Sequence, residues 1–462
     1  MPKVRFKQPN GSVYSISDDS TRNAQMEQTY QKIVTGNPNQ IVGFDALGKM
    51  VAVDRSYELY GFELDLTESN PASKIKYLAD NANYTPASMG STSFSYGDWE
   101  DAFFIRELRP CMMNYDGSIA YDLNSNNYAQ KIDGTASDVA NSSFAGNAMM
   151  GIPTVWIKVD TTNPNKPKFY FSNIRVDLSF NAYAHHDNDG KVMDYTYMAI
   201  YNGYVDGSSR MRSISGVDPT RDQTGATQIT ECRANNPSGV NAWDLEKFVD
   251  RNLISLLLLL IGKSTNTQAV FGFGNDNGYH DHASGSDSYG VLPTGTMDDK
   301  GLFWGSTSLR NLGVKVFGIE NFWGNIWERS LGLVAAYGTI YYKLTYGTED
   351  GSTVIGFDPA YIADNASAPS GYIGAGPTLS NGYISNMAVG SDAALIPSST
   401  TNGSDSTYFC DHSWWNTDNV YVALFGSSSH NGSRVGAFAV SLASVLSYRD
   451  WSVGARLSCK KL

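Results

Sequence analysis

The chain has 462 residues, a formal net charge of −12 and only 17% charged residues, with 44 Gly, 28 Tyr and 9 Trp. That length implies two or three domains, and the composition points to a loop-rich, β-rich protein, because long helices demand more Leu, Glu and Lys. The acidic balance and the lack of a basic stripe exclude a nucleic-acid binder. The longest apolar run, residues 253–261, is under half of the roughly 20 residues that a membrane-spanning helix needs, which argues against membrane insertion.

Residues 1–50 alternate short β-like pieces, such as Val4-Arg5-Phe6 and Ser12-Val13-Tyr14-Ser15-Ile16, with polar links. They are expected to form an attachment or oligomerisation segment, or else the first strand pair of the next domain. Met1-Pro2-Lys3-Val4-Arg5-Phe6-Lys7 lacks the apolar core of a secretory signal, so synthesis in the cytoplasm of a host cell is expected. Residues 51–145 read as a small mixed, β-rich domain. Residues 60–66 alternate as a strand does. Ser69-Asn70-Pro71-Ala72-Ser73 is expected to open a short helix carrying Ile75 and Leu78 on one side. Residues 135–150 are small and polar and read as a linker, which sets a domain boundary near residue 145.

The remaining stretch, 146–462, reads as one large domain. Residues 154–159 and 168–171 flank a turn-rich link and predict a hairpin; residues 192–201 predict another strand. A helix is expected over 241–261, with Asn241 as N-cap and Gly262 as its stop. The Leu256 to Leu260 run is apolar all round, so that end should be buried.

Cys111, Cys232, Cys410 and Cys459 form no C-x-x-C pair and read as small buried hydrophobes, with a Cys410–Cys459 disulfide as the alternative. Tyr279-His280-Asp281-His282 and His185-His186-Asp187-Asn188-Asp189-Gly190 bring potential metal ligands together, but the Gly and Asn around them read as turns. No metal or cofactor is therefore expected. Glu328, between aromatic and apolar neighbours, reads as a hydrogen-bonding strut rather than a general acid.

Trp323-Gly324-Asn325-Ile326-Trp327-Glu328 resembles the Gly-Asn-Val-Trp-Glu-Trp signature of the formylglycine-generating-enzyme type of C-type lectin fold. The ending Gly454-Ala455-Arg456-Leu457-Ser458-Cys459 is similar to that fold's terminal Gly-Phe-Arg-Cys strand. Arg329 departs from the signature, which has Trp there. The resemblance implies an α+β protein: a C-type lectin-like C-terminal domain over 146–462 and a smaller β-rich N-terminal region. The oxygen-dependent enzymes of the family carry two closely spaced cysteines before the terminal strand. This chain has none between Cys410 and Cys459, so it looks closer to the receptor-binding tail proteins of phages, including those diversified by retroelements. In that group the segment ahead of the terminal strand holds the binding residues.

That segment is where this sequence changes alphabet: no Lys or Glu occurs between Asp350 and Cys459. Trp414, Trp415 and Tyr421 offer contact area at low entropic cost. His412, Asn416, Asp418, Asn419, Ser428, His430, Asn431, Ser433 and Arg434 offer adaptable polar contacts. Tyr448, Arg449 and Asp450 form a turn that could add a second edge. Gly426, Gly436, Phe438, Val440, Leu442, Gly454 and Arg456 read as framework. The expectation is a non-enzymatic phage or prophage adhesin that binds a bacterial cell-surface protein or glycan. It would sit in the virion tail among other tail proteins, and the resemblance implies a homotrimer. The alternatives are a formylglycine-generating-type oxidase and a structural virion protein without receptor binding.

Overall fold

In the computed structural model, residues 57–462 are described, apart from 92, 188–189, 278–289, 343–372, 376–378, 391 and 462; within 1–56 only four strand backbones are. The chain divides into two compact units, Met1–Glu58 and Leu59–Leu462. In the first, Arg5–Lys7 pairs antiparallel with Val13–Ser15, and Gln40–Phe44 with Met50–Asp54.

The second unit is organised around the helix Phe248–Gly262, every residue of which is buried. Its leucines at 256–260 are solvent-free on all sides, as a helix without a polar face must be. One flank packs on the strand Ile75–Ala79 and another on the strand Trp327–Ala336. Asn252, a polar residue in this apolar helix, is satisfied by the backbone of Ala393 and Leu395, at 3.1 and 3.0 Å. The helix starts later than the sequence predicts. Trp243–Leu245 is a strand, Lys247 is the N-cap, and Lys263 at φ 50° ends the last turn.

Three sheets surround this helix. A four-stranded sheet has the order Trp156–Asp160, Lys168–Ser172, Leu59–Leu64, Ile75–Ala79. The 154–171 hairpin is thus present, with Asp160 opposite Lys168. A seven-stranded sheet runs Asn127–Lys131, Ile119–Asn124, Arg109–Asn114, Gly146–Pro153, Tyr195–Ala199, Leu457–Cys459, Trp243–Leu245. An eight-stranded sheet runs Ile373–Ala375, Thr339–Tyr342, Trp327–Ala336, Val420–Phe425, Val440–Leu442, His412–Trp415, Gly382–Tyr383, with Val453–Ala455 parallel to Trp327–Ala336.

Three expectations are corrected. The protein is β-rich rather than α+β, with 34% strand, 11% helix and four α-helices among the described residues. The helix expected around Ile75 and Leu78 is a strand whose alternation, Ile75 and Tyr77 buried and Lys76 exposed, has period two. No domain boundary falls near residue 145: Gly146–Pro153, read as the end of a linker, is a fully buried central strand, and it pairs on one side with Arg109–Asn114. At Gly146 and Gly151 a Cβ would meet neighbouring atoms at 2.0 and 2.9 Å, and these glycines give the strand its loop-like look although Met149, Met150 and Ile152 are core residues. Among the described residues no helix is long and apolar enough to cross a membrane.

The final six strand residues stitch two sheets together, because Val453–Ala455 joins the eight-stranded sheet and Leu457–Cys459 the seven-stranded one. Arg456 lies at the crossing. Its guanidinium donates to Glu328 at 2.8 Å and to the carbonyls of Ala199, Ile200 and Glu320 at 2.8, 3.0 and 2.7 Å. Glu328 also takes Arg251 of the central helix at 2.5 Å and the Asn202 amide at 2.7 Å. Arg251 in turn reaches Glu246 at 3.3 Å and the Phe322 carbonyl at 3.0 Å. All four charged groups are buried, and a buried charge is tolerated only when paired and hydrogen-bonded.

Replacing Glu328 by Ala leaves two guanidinium groups buried without their shared carboxylate. Such a loss costs about 3–5 kcal/mol, to be measured by denaturant unfolding. Burial, only partly offset by Arg251, pushes Glu246 up to about 7 from its ordinary value of 4.5. Between those values the native state holds a proton that the unfolded chain has released, so this group's contribution to stability falls as pH rises through that window. Glu246→Gln is expected to remove that fall, visible as a wild-type-minus-variant difference in melting temperature that changes between pH 4.5 and 7.

Candidate functional site

The strand His412–Trp415 alternates by its pleat. Ser413 and Trp415 turn inward and are buried; His412 and Trp414 turn outward and are half-buried. The Trp415 backbone N–H is held by the Asn381 side chain at 2.6 Å. Of the two adjacent tryptophans, Trp414 is therefore the one presented to solvent, and Trp415 belongs to the core.

Trp414 stands on an apolar base of Trp327, Leu424 and Val453. The Trp327 ring meets it edge-on at 5.0 Å. The His412 imidazole lies 4.1 Å from the Trp414 ring, and Tyr383 on the neighbouring edge strand lies 5.3 Å from His412. The result is a continuous row of rings, Tyr383, His412, Trp414 and Trp327, across three segments distant in sequence.

The loop after the strand Val420–Phe425 borders this row. It leaves the sheet through Gly426 at φ 82°, whose carbonyl accepts from Gly324 N–H at 2.8 Å. Ser428 is buried, and its N–H and hydroxyl both donate to the Asn431 side chain, at 3.1 and 2.6 Å. Ser429 N–H reaches the Asn325 carbonyl and Gly432 N–H the Asp276 carbonyl, at 3.0 and 2.8 Å. A short 3-10 turn, Gly432–Arg434, follows. Ser433 shares a 2.9 Å hydrogen bond with the Tyr383 hydroxyl, and Gln268 donates to the Ser433 and Val435 carbonyls. Arg434 is exposed. His430, also exposed, approaches the Trp451 ring at 5.9 Å.

His412 is pushed down to about 4, first by burial and then by the positive charge of Arg434, so its ring is neutral at neutral pH. The preceding Asp411 is fully buried and pushed well above the carboxylate range by desolvation. Its Oδ2 accepts from Phe438 N–H at 2.7 Å. Gly436 leaves room for it, since a Cβ there would fall 2.0 Å from the Asp411 carboxyl, and the residue sits at φ 141°.

The structure thus brings together His412, Trp414, His430, Asn431, Ser433 and Arg434. It does not add the other expected residues to this face. Asn416, Asp418 and Asn419 are exposed at the opposite end of the sheet, where Val420 pairs with Ala336. Tyr421 is buried, and its hydroxyl donates to Asp418. Asn419 lines, with Thr224, Val445 and Leu446, a separate shallow cleft of ≈ 350 Å³. Arg449 is engaged by Asp222 through two hydrogen bonds at 3.0 and 2.9 Å. Asp450 caps the Ser452 turn at 2.9 and 2.6 Å, and the Tyr448 carbonyl accepts from buried Arg329 at 2.8 Å. Sequence reasoning missed Tyr383 and Trp327 as members of this surface. Trp327 was absorbed in a framework motif, and nothing local marks Tyr383, which arrives only through strand pairing with His412.

His185 is fully buried, its Nε2 3.3 Å from the Ile152 carbonyl, and burial pushes it down to about 3. His186 and Asp187 are buried as well, so this stretch is not the solvated turn expected; residues 188–189 and the 279–282 motif lie outside the described residues. Among the described residues no group of three or more His, Cys, Asp or Glu is placed to hold a metal ion. All four cysteines are buried and free, so Cys410 and Cys459 do not pair. Glu328 is a strut, as its two arginine partners show.

No protein-family model and no curated protein matches this chain.

Gly436→Ala would drive a methyl group into the Asp411 carboxyl and strain the backbone that leads into Val440–Leu442. A loss of about 1–3 kcal/mol is expected, read by thermal unfolding, with weaker ordering of the Gly432–Arg434 turn in hydrogen exchange.

Proposed function

We propose that this chain is a receptor-binding adhesin of a phage or prophage tail, whose ligand is a bacterial cell-surface protein or glycan. One observation carries the reading: the half-exposed row Tyr383, His412 and Trp414, bordered by Ser433 and Arg434, is mounted on a base whose every backbone strand is hydrogen-bonded. Large rings with few rotors beside short polar side chains on a rigid support suit recognition at low entropic cost. The likeness of residues 323–328 and 454–459 to the signature pieces of the formylglycine-generating-enzyme type of C-type lectin fold, which receptor-binding tail proteins share, supports the same reading. So does the state of the thiols: burial pushes Cys410 up to about 12 and Cys459 further, whereas the oxidase alternative requires two converging thiolates. Several copies per virion, arranged as a homotrimer and joined to other tail proteins, would raise the overall avidity.

Trp414→Ala and His412→Ala are expected to abolish attachment of the purified protein to host cells in a pull-down assay. Their unfolding midpoints should lie close to wild type, because both side chains are half outside the core. Retained attachment by both variants would place the receptor site elsewhere.

A further inference from the structure

Arg434 is an exposed cation in a chain of net charge −12. Among the described residues no carboxylate pairs with it, whereas Arg449, Arg310, Arg233 and Arg109 each hold an aspartate. The acid nearest to it along the binding strand, Asp411, is buried and turned toward the Phe438 N–H. The His412 ring beside Arg434 is neutral. Among the described residues the ring face therefore carries one uncompensated positive charge, beside the paired hydroxyls of Tyr383 and Ser433 at 2.9 Å and at one side of the row that runs from His412 to Trp414.

We propose, building on the adhesin reading, that the ligand of this face is an anionic sugar polymer. Its carboxylate or phosphodiester group is seated on Arg434, and its sugar ring lies against Trp414. The three parts of such a ligand have three counterparts here. The apolar CH face of a pyranose matches the indole, which already rests on Trp327 and leaves its other side outward. The ring hydroxyls match Ser433 and Tyr383. The anion matches the planar guanidinium fork, which binds carboxylate and phosphate through parallel hydrogen bonds. On a chain of net charge −12, a cation on the ring face favours docking of an acidic polymer there.

The test uses the full chain over immobilised polygalacturonate, its methyl ester, polysialic acid, poly(N-acetylmannosamine phosphate), a phosphodiester-linked sugar polymer, and neutral dextran. Binding to at least one anionic polymer is expected, weakening with added salt. Arg434→Gln should lower that affinity on the order of tenfold, the worth of one charge-assisted hydrogen bond, with the melting temperature unchanged. A response to the carboxylated polymers or to the phosphodiester polymer alone supports the proposal and identifies the anion. Equal binding to polygalacturonate and its ester, binding to no anionic polymer, or an unaffected Arg434→Gln variant overturns it. Attachment to a panel of bacterial strains separates the two levels. Attachment lost in Trp414→Ala and kept in Arg434→Gln, or removed by protease and not by periodate, keeps the adhesin and overturns the anionic sugar ligand. Attachment that depends on neither residue overturns the anionic sugar ligand and places the receptor site elsewhere; attachment to no strain overturns the adhesin as well.

Discussion

One buried carboxylate, Glu328, holds the second unit together. It lies in the eight-stranded sheet and is gripped by Arg251 of the central helix and by Arg456 of the terminal strand. Because Arg456 sits between Val453–Ala455 in one sheet and Leu457–Cys459 in another, its guanidinium is the point at which helix and both sheets meet. Its remaining protons go to three backbone carbonyls, so no donor of the cluster has to seek water. Ionic groups this deep add little net stability over apolar packing of the same volume. What they supply is register, since a shift of the terminal strand by one residue would bury an alanine or leucine against two charges.

The candidate site depends on that register. Trp327, the residue before Glu328, points to the opposite face of the same strand and is the floor on which Trp414 rests. The interior side of the strand thus fixes the charge cluster while its exterior side fixes the platform. The loop from Gly426 to Arg434 is tied to the same region through Asn325, whose carbonyl accepts from Ser429 and whose side chain is held by Asn275 at 2.9 Å. Framework and candidate site are two faces of one set of strands.

Some of this was legible in the amino-acid order. The alternation of residues 60–66 and the hairpin of 154–171 follow from period-two patterning with turn residues between. The Leu256 to Leu260 run had to be buried. His412, Trp414 and the His430 to Arg434 stretch stood out by alphabet. Other features could not be read. Residues 75–79 are too short to distinguish a strand from a helical turn, and Gly146–Pro153 imitates a linker because close neighbours leave no room for a Cβ at Gly146 and Gly151. The helix start was misplaced because Trp243 and Leu245 are apolar for the sake of a sheet, not a helix face.

The sequence by itself determined that the chain is β-rich in composition, that one apolar helix must be interior, and that a polar, aromatic, Lys- and Glu-free segment lies ahead of the terminal strand. Only the tertiary structure decided which members of that segment share a face. Pleating sends Trp414 out and Trp415 in. Pairing of Gly382–Tyr383 with the His412 strand brings in a tyrosine from far upstream of the residues singled out by sequence, and the ion pair to Asp222 engages Arg449 away from the ring row. The reason is physical: composition and period are properties of neighbours along the chain, whereas a binding surface is defined by neighbours across strands, which strand order and register alone select.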